Sequence, residues 1–334
     1  MTLPDRPFVS VIMPVRNEAA FIERSLGAVL AQDYPSDRCE IIIADGMSDD
    51  DTRAIIQRLP GSERIRILDN PRRLQAPGLN LALAAARGDV IIRVDGHTII
   101  APDYVTQCVG ALHETGAANV GGAMDPVGIT PMGQAIAAAG KSPFAVPTAF
   151  HVSQRAQPTD TVYMGAWQRS IFDQVGGFDE RFAINEDYEL NFRIRQAGGT
   201  IYFSPDIRSQ YYGRQTLRAL AKQYFRYGQW KVQTLRKHPA SVRPRQVVAP
   251  LFVAALIGGA ALSFVSRVFL ILFVMGICLY QFLNSAAAYK TTRRAGGASW
   301  WRVMLVFWTI HLAWGSGFWV GLTREIGAHR QSLP

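Results

Sequence analysis

The chain has 334 residues, 49% of them hydrophobic and 18% charged, with a formal net charge of +9. That length accommodates one α/β catalytic domain of roughly 200 residues plus an appendage. Its three cysteines, Cys39, Cys108 and Cys278, form no C-x-x-C pair and no closed disulfide framework, so a reducing compartment is expected rather than a disulfide-stapled secreted fold.

The positive charge is unevenly placed. Basic residues gather between Arg208 and Arg245 and again at Lys290, Arg293, Arg294 and Arg302, each time beside an apolar run. This favours an anionic membrane surface, with phosphate-bearing substrates second. No zinc-finger spacing or RNA-binding aromatic pattern supports nucleic acid. Asp5 and Arg6 are followed by no apolar signal region, and export by an amino-terminal signal is not expected.

In chain order, Phe8 to Met13 is a β-rich apolar run ending at Pro14, the pattern of a strand buried on both faces. Asn17 and Glu18 follow, then a helical pattern through Phe21, Ile22, Leu26, Val29 and Leu30. Cys39 to Ala44 is a second such strand, ending at Asp45-Gly46. Met47 to Thr52 is rich in N-cap residues and leads into a helix through Ile55, Ile56 and Leu59. Ile65 to Leu68 predicts a third strand, Pro77 to Ala86 a helix stopped by Gly88, and Val90 to Val94 a fourth strand ending at Asp95. Alternating strands and helices predict a Rossmann-like, mostly parallel sheet, whose ligands bind beyond the carboxyl ends of the strands. Gly121 to Gln157, rich in Gly, Ala and Pro, reads as a loop-rich insert or an acceptor-side segment.

Three apolar stretches follow Arg245, at about 247–265, 268–289 and 303–322; the third contains His311. Each suffices to cross a hydrocarbon core of roughly 30 Å. Arg243 and Arg245 before the first stretch, and Lys290, Arg293 and Arg294 after the second, predict a hairpin with both ends in the cytoplasm. Trp300 and Trp301 mark an interface at the third. A crossing third helix puts the C-terminus outside, whereas Arg324, His329 and Arg330 favour a re-entrant or in-plane helix. The organisation expected is a catalytic domain at 1–215, an amphipathic interfacial segment at 216–246, a membrane region at 247–322 and a tail at 323–334.

Several polar clusters carry chemistry. Asp95-Gly96-His97 offers a carboxylate and an imidazole beyond a strand, able to hold a divalent cation on a diphosphate or, more simply, to cap a turn. Asp45 could accept hydrogen bonds from a nucleobase or ribose, while Ser48, Asp49 and Asp50 could cap the next helix. Glu186-Asp187 opens a helix, either as a base toward an acceptor hydroxyl or as a complement to the helix dipole. Gln223, Arg226 and Tyr227 share one face of a basic helix, suited to a diphosphate or to a lipid surface. Gly140-Lys141-Ser142 is no P-loop, because position 135 is Ala, and no G-x-G-x-x-G follows the first strand.

In order and spacing, VSVIMPVRNE (9–18), DGMSDDDT (45–52), RVDGH (93–97), GGFDERFAINEDYEL (176–190) and QYFRY (223–227) together resemble family 2 glycosyltransferases of the GT-A fold, over residues 8–230. More narrowly, the chain resembles the succinoglycan-biosynthesis glucosyltransferases of bacterial exopolysaccharide pathways. The resemblance implies an inverting enzyme that moves one sugar, glucose, from a UDP-sugar to a polyprenyl-diphosphate-linked saccharide. It implies that Pro14, Val15, Asn17, Glu18 and Asp45 line the nucleotide pocket, and that Asp95 and His97 hold Mg2+ or Mn2+. Gln223, Arg226 and Tyr227 belong to the nucleotide-sugar site, with Arg226 on the departing nucleotide. It implies that Asp187 is the general base, with Glu186 positioning it or the acceptor. The setting implied is the bacterial inner membrane, with the catalytic domain cytoplasmic and polysaccharide-assembly proteins as partners. His97 stands where most of the family has a second Asp, and Tyr227 where it has Trp. Strongly processive synthases usually keep that Trp and have more spanning helices, so single-sugar transfer is favoured; a transferase acting on polyprenyl phosphate itself, or a processive polysaccharide synthase, is the alternative. A non-catalytic scaffold is the remote alternative.

Overall fold

The computed structural model describes residues 3–145, 150 and 153–323. Two compact units divide the chain: Met1–Asp125 with Thr148–Tyr212, and Pro126–Pro147 with Gly213–Pro334.

The first unit is built on strands β1 (Val9–Val15), β2 (Cys39–Asp45), β3 (Ile65–Asp69) and β4 (Val90–Arg93), all parallel, in the order β3-β2-β1-β4. The continuous apolar runs exist because both faces are covered. Val9, Val11, Met13, Ile41, Ile43, Val90 and Ile92 point into one core, where α1 (Ile22–Leu30) and α4 (Tyr104–Thr115) pack. Ile12, Ile42, Ala44 and Ile91 point into the other, with α3 (Gln75–Ala85), α6 (Ser170–Val175) and α7 (Glu186–Gln196). Ser10 is the polar residue inside β1. Its Oγ donates to Glu40 Oε1 at 2.6 Å and accepts from the Gly88 N–H at 2.8 Å, so no polar group is orphaned there.

Beyond β4 the sheet turns antiparallel. β8 (Tyr163–Gln168) pairs with β4, then β6 (Asn119–Val127), β9 (Ile201–Tyr212) and β5 (Thr98–Ile100) follow, with β7 (Gln157–Thr159) also on β9. The sheet is therefore mixed, its parallel half being the four strands that alternation predicts.

The stretch read as a loop-rich insert instead contains most of β6 and the helix α5 (Pro131–Gly140); its residues 146–149, 151 and 152 lie outside the described residues. Gly121 and Gly122 misled because they mark a close approach rather than a turn. A Cβ on Gly122 would lie 1.7 Å from the Ile207 carbonyl oxygen of β9. α5 starts at Pro131, with Thr130 Oγ1 accepting from the Gly133 N–H.

The second unit holds α5, α8 (Leu217–Lys237), α9 (Val248–Ser263), α10 (Arg267–Ala295) and α11 (Trp300–Thr323). The run Pro244–Ser263, α10 and α11 have 20, 29 and 24 residues and are apolar enough to cross a membrane. Along α10, Val268, Phe269, Leu270, Ile271, Leu272 and Met275 are all exposed, a surface that water does not favour. Some polar side chains within these helices pair with one another or with the backbone. His311 meets Tyr280 Oη and the Phe144 carbonyl, each at 2.9 Å, and Trp308 Nε1 donates to Gln281 Oε1 at 3.0 Å. The tail read at 323–334 lies outside the described residues from 324 onward.

α8 and α11 touch backbone to backbone. A Cβ on Gly228 would lie 2.2 Å from the Trp314 carbonyl, one on Gly317 2.0 Å from the Phe225 carbonyl, and one on Gly321 2.9 Å from Gln229 Cα. Gly317→Ala should therefore destabilise the protein by about 2 kcal/mol or more. Gly276→Ala, with open space around its Cβ, should not. Thermal unfolding of the two variants in detergent checks this.

Candidate active site

The turns at the carboxyl ends of β1 and β2 are stapled together. Asn17 adopts φ 56°, a left-handed conformation Asn tolerates, and aims its amide across the gap. Its Nδ2 donates to Asp49 Oδ1 at 2.7 Å, and its Oδ1 accepts from the Asp49 N–H at 3.0 Å. The Asn17 N–H donates to Ser48 Oγ, the Glu18 N–H to Thr52 Oγ1 and the Ala19 N–H to Asp50 Oδ2. Ser48 and Asp49 thus fasten one turn to the other. Asp50 also accepts from the Thr52 N–H at 3.0 Å, while the N-cap of α2 (Thr52–Arg58) is Asp51, with no side-chain cap bond.

Asp45, the last residue of β2, is fully buried. It accepts from Ser48 Oγ at 2.5 Å, from the Ser48 N–H and from Arg53 Nε; Arg53 also reaches Asp69. These bonds fix the carboxylate at the strand end. Pro14 is half-buried, Val15 is in the core, Asn17 is exposed and Glu18 half-buried.

The turn after β4 comes directly against the turn after β1. A Cβ on Gly96 would lie 2.9 Å from Glu18 Cγ and 3.2 Å from Val15 Cγ1, so glycine allows the approach. His97 Nδ1 meets Glu18 Oε1 at 2.8 Å, and the ring packs edge-on to Tyr211 with centroids 5.3 Å apart. Glu18 and His97, assigned to nucleotide and metal separately, are direct partners.

The acidic pair sits at the first turn of α7, entered through Asn185 at φ 67°. Glu186 is 4% exposed and Asp187 half-buried. Between this pair and Asp95 lies Arg93, a residue that motif reading did not single out. Its Nε donates to Asp95 Oδ1 at 2.7 Å, its Nη2 to Asp95 Oδ2 at 3.3 Å and its Nη1 to Glu186 Oε1 at 3.2 Å. The available signal was a lone charge ending the run Val90-Ile91-Ile92 in a strand buried throughout. Burial pushes the Glu186 carboxyl up to about 7, with Asp187 adding to the rise and Arg93 opposing it. Asp187 is raised too, by burial first, again against Arg93. Burial alone would lower Arg93, but Asp95, Glu186 and Asp187 outweigh it and hold the guanidinium above its ordinary value.

The structure thus gathers Asp95, His97, Glu18 and Glu186-Asp187 through two short links, with Asn17 and Asp45 on the adjoining stapled turns. Gln223, Arg226 and Tyr227 belong to the second unit, on α8. There Gln223 Nε2 donates to Tyr227 Oη at 2.6 Å, and Arg226 is exposed.

Among the described residues no three His, Cys, Asp or Glu side chains cluster as a ready-made metal site. The donor chemistry at Asp95 and His97 nevertheless suits a divalent cation whose remaining ligands are phosphate oxygens and water. A carboxylate on one ring nitrogen, as Glu18 stands to His97, is the arrangement that orients a metal-binding imidazole.

A mixed sheet with acidic turns at the carboxyl ends of its parallel strands defines the GT-A class of nucleotide-sugar transferases. A solved mannosyltransferase from Pyrobaculum calidifontis, in complex with GDP-Man and Mn2+, is similar over 94% of this chain and 89% of its own, with a TM-score of 0.64 and 21% sequence identity. The model of the family described as Glycosyl transferase family 2 matches residues 10–175. Succinoglycan biosynthesis protein ExoA of Rhizobium meliloti (strain 1021) is 32% identical over 327 residues, 92% of this chain and 93% of its own. A Methanococcus voltae enzyme, named as a glucuronosyltransferase acting on dolichyl N-acetyl-alpha-D-glucosaminyl phosphate, is 28% identical over 69% of this chain and 74% of its own. The chain belongs to the family 2 glycosyltransferases.

The raised Glu186 carboxyl makes stability pH-dependent. Its proton is held more tightly in the folded than in the unfolded chain, so the contribution is full below its ordinary value of 4.5 and is lost as pH rises through about 7. Glu186→Gln cannot titrate and should gain stability relative to the parent as pH rises from about 5 to about 8. Melting temperatures of both proteins across that range measure the effect.

Proposed function

We propose that this glycosyltransferase moves a single sugar, with glucose the first candidate, from a UDP-sugar to a polyprenyl-diphosphate-linked saccharide, with inversion, in bacterial exopolysaccharide synthesis. The observation that carries the reading is the linkage of Asp95 to Glu186 through Arg93 and of His97 to Glu18, beside the turn that holds Asp45. The names of the Rhizobium and Methanococcus relatives, one for succinoglycan and one for a dolichyl-linked sugar, support the pathway and the acceptor class.

In this reading Asp45 accepts hydrogen bonds from uracil or ribose, while Pro14, Val15, Asn17 and Glu18 shape the nucleotide pocket. Asp95 and His97 would hold Mg2+ or Mn2+, which when bound neutralises diphosphate charge. Arg226 would steady the departing nucleotide, and Gln223 and Tyr227 share its helix, α8. The acceptor hydroxyl oxygen bonds to the anomeric carbon as the carbon–oxygen bond to the diphosphate breaks. The bonding electrons leave with UDP, and the hydroxyl proton passes to the Asp187 carboxylate, oriented by Glu186. One displacement turns an α-linked donor into a β-linked product. A carboxylate made more basic by burial takes a proton better near neutral pH.

The membrane supplies the acceptor. We read Pro244–Ser263 and α10 as a crossing hairpin in the bacterial inner membrane, with Arg243 and Arg245 at one end and Lys290, Arg293 and Arg294 at the other, all cytoplasmic like the catalytic unit. α11 is different. It lies against α8, which carries Arg218, Lys222, Arg226, Arg236 and Lys237, and a crossing α11 would draw such charges into hydrocarbon at about 2.5–3.5 kcal/mol each. The charges on α8 favour an in-plane α11.

Asp187→Asn should slow transfer about 10²–10⁴-fold while leaving UDP affinity nearly unchanged. Turnover on lipid-linked acceptor in membranes, beside calorimetric UDP binding, is the test, and normal turnover removes Asp187 from the role. A fluorescent protein fused after Pro334 should fluoresce, as it does in the cytoplasm. An active alkaline phosphatase fusion there would instead show that α11 crosses.

A further inference from the structure

We propose that Arg93 is a positioning residue that couples the donor side of the site to the acceptor side, by holding Asp95 and Glu186 on one guanidinium. The inference rests on the reading of Asp187 as base and extends it to Arg93, the first residue of RVDGH, which carries no role in that reading.

Arg93 is 5% exposed and ends a strand whose other three residues, Val90, Ile91 and Ile92, are all fully buried. An apolar side chain would suit that setting better. A buried cation is tolerated only where anions and hydrogen bonds match it, and here they come from two distant parts of the chain. Arg93 and Asp95 are two residues apart and form a two-pronged pair. Glu186 is 93 positions away, at the start of α7.

The planar fork is what makes the coupling. Nε and Nη2 occupy one carboxylate, while Nη1 points to the other, a geometry that a single ammonium does not reproduce. Asp95 stands on the side assigned to the diphosphate, and Glu186 adjoins the base Asp187. Arg93 therefore fixes the distance between the group that steadies the leaving side and the group that takes the acceptor's proton. A displacement of about 1 Å at such a site lowers turnover about 10²-fold without weakening ground-state binding.

Arg93→Lys keeps the charge and loses the fork. It should lower kcat about 10–10²-fold, with the donor KM and the calorimetric UDP affinity, with and without Mn2+, within about threefold of the parent. Because Arg93 acts through Glu186, the double variant Arg93→Lys with Glu186→Gln should fall no more than about threefold below the worse single variant. Unchanged kcat in Arg93→Lys overturns the proposal. So does a loss of UDP binding or of cooperative unfolding that accounts for the activity loss, and so does a double variant whose losses multiply. Asp187→Asn is run alongside. Should that variant keep its turnover, the base assignment fails, whereas an inactive Asp187→Asn beside a normal Arg93→Lys sinks this inference alone.

Discussion

A guanidinium buried at the carboxyl edge of a parallel sheet must be surrounded by anions, and this requirement organises the first unit. Arg93 occupies a strand position that the core would otherwise fill with a hydrocarbon. Asp95 answers it from the same chain segment, and Glu186 from the start of α7. Removing either carboxylate would leave a buried charge short of a partner, which costs far more than an exposed ion pair gains. The turn after β4 and the first turn of α7 are thereby held in one arrangement.

The β1 and β2 turns are held by hydrogen bonds, some of them to carboxylates. Asn17, Ser48, Asp49 and Thr52 close the β1 and β2 turns onto one another, and Gly96 lets the β4 turn press against Glu18. A site with rigid turns and an anchored acidic pair suits a reaction that depends on placing two substrates rather than on covalent chemistry by the protein. Much of the polarity that looks available to a ligand in the sequence is spent on this internal fastening. Ser48 and Asp49 are the plainest examples.

The second unit follows different physics. Its helices expose long apolar surfaces, and where two of them meet, glycine brings the backbones together. Gly228, Gly317 and Gly321 place α11 against the charged helix α8, whereas α10 leaves its apolar surface bare. Hydropathy treats the last three helices alike, whereas the glycine contacts to α8 belong to the third.

The sequence by itself determined the parallel strands, the acidic turns at their ends and the three apolar helices. Each is a local pattern: a two-faced apolar run, a carboxylate at a strand end, a charge-free stretch. Only the tertiary structure decided the antiparallel half of the sheet, where Gly121 and Gly122 read as a loop because the strand crossing over them is distant in the chain. It also decided that Glu18 partners His97 and that Arg93 joins Asp95 to Glu186. Such contacts join residues 79 and 93 positions apart, and their partners are set by how strands and helices stack, which no local spacing encodes.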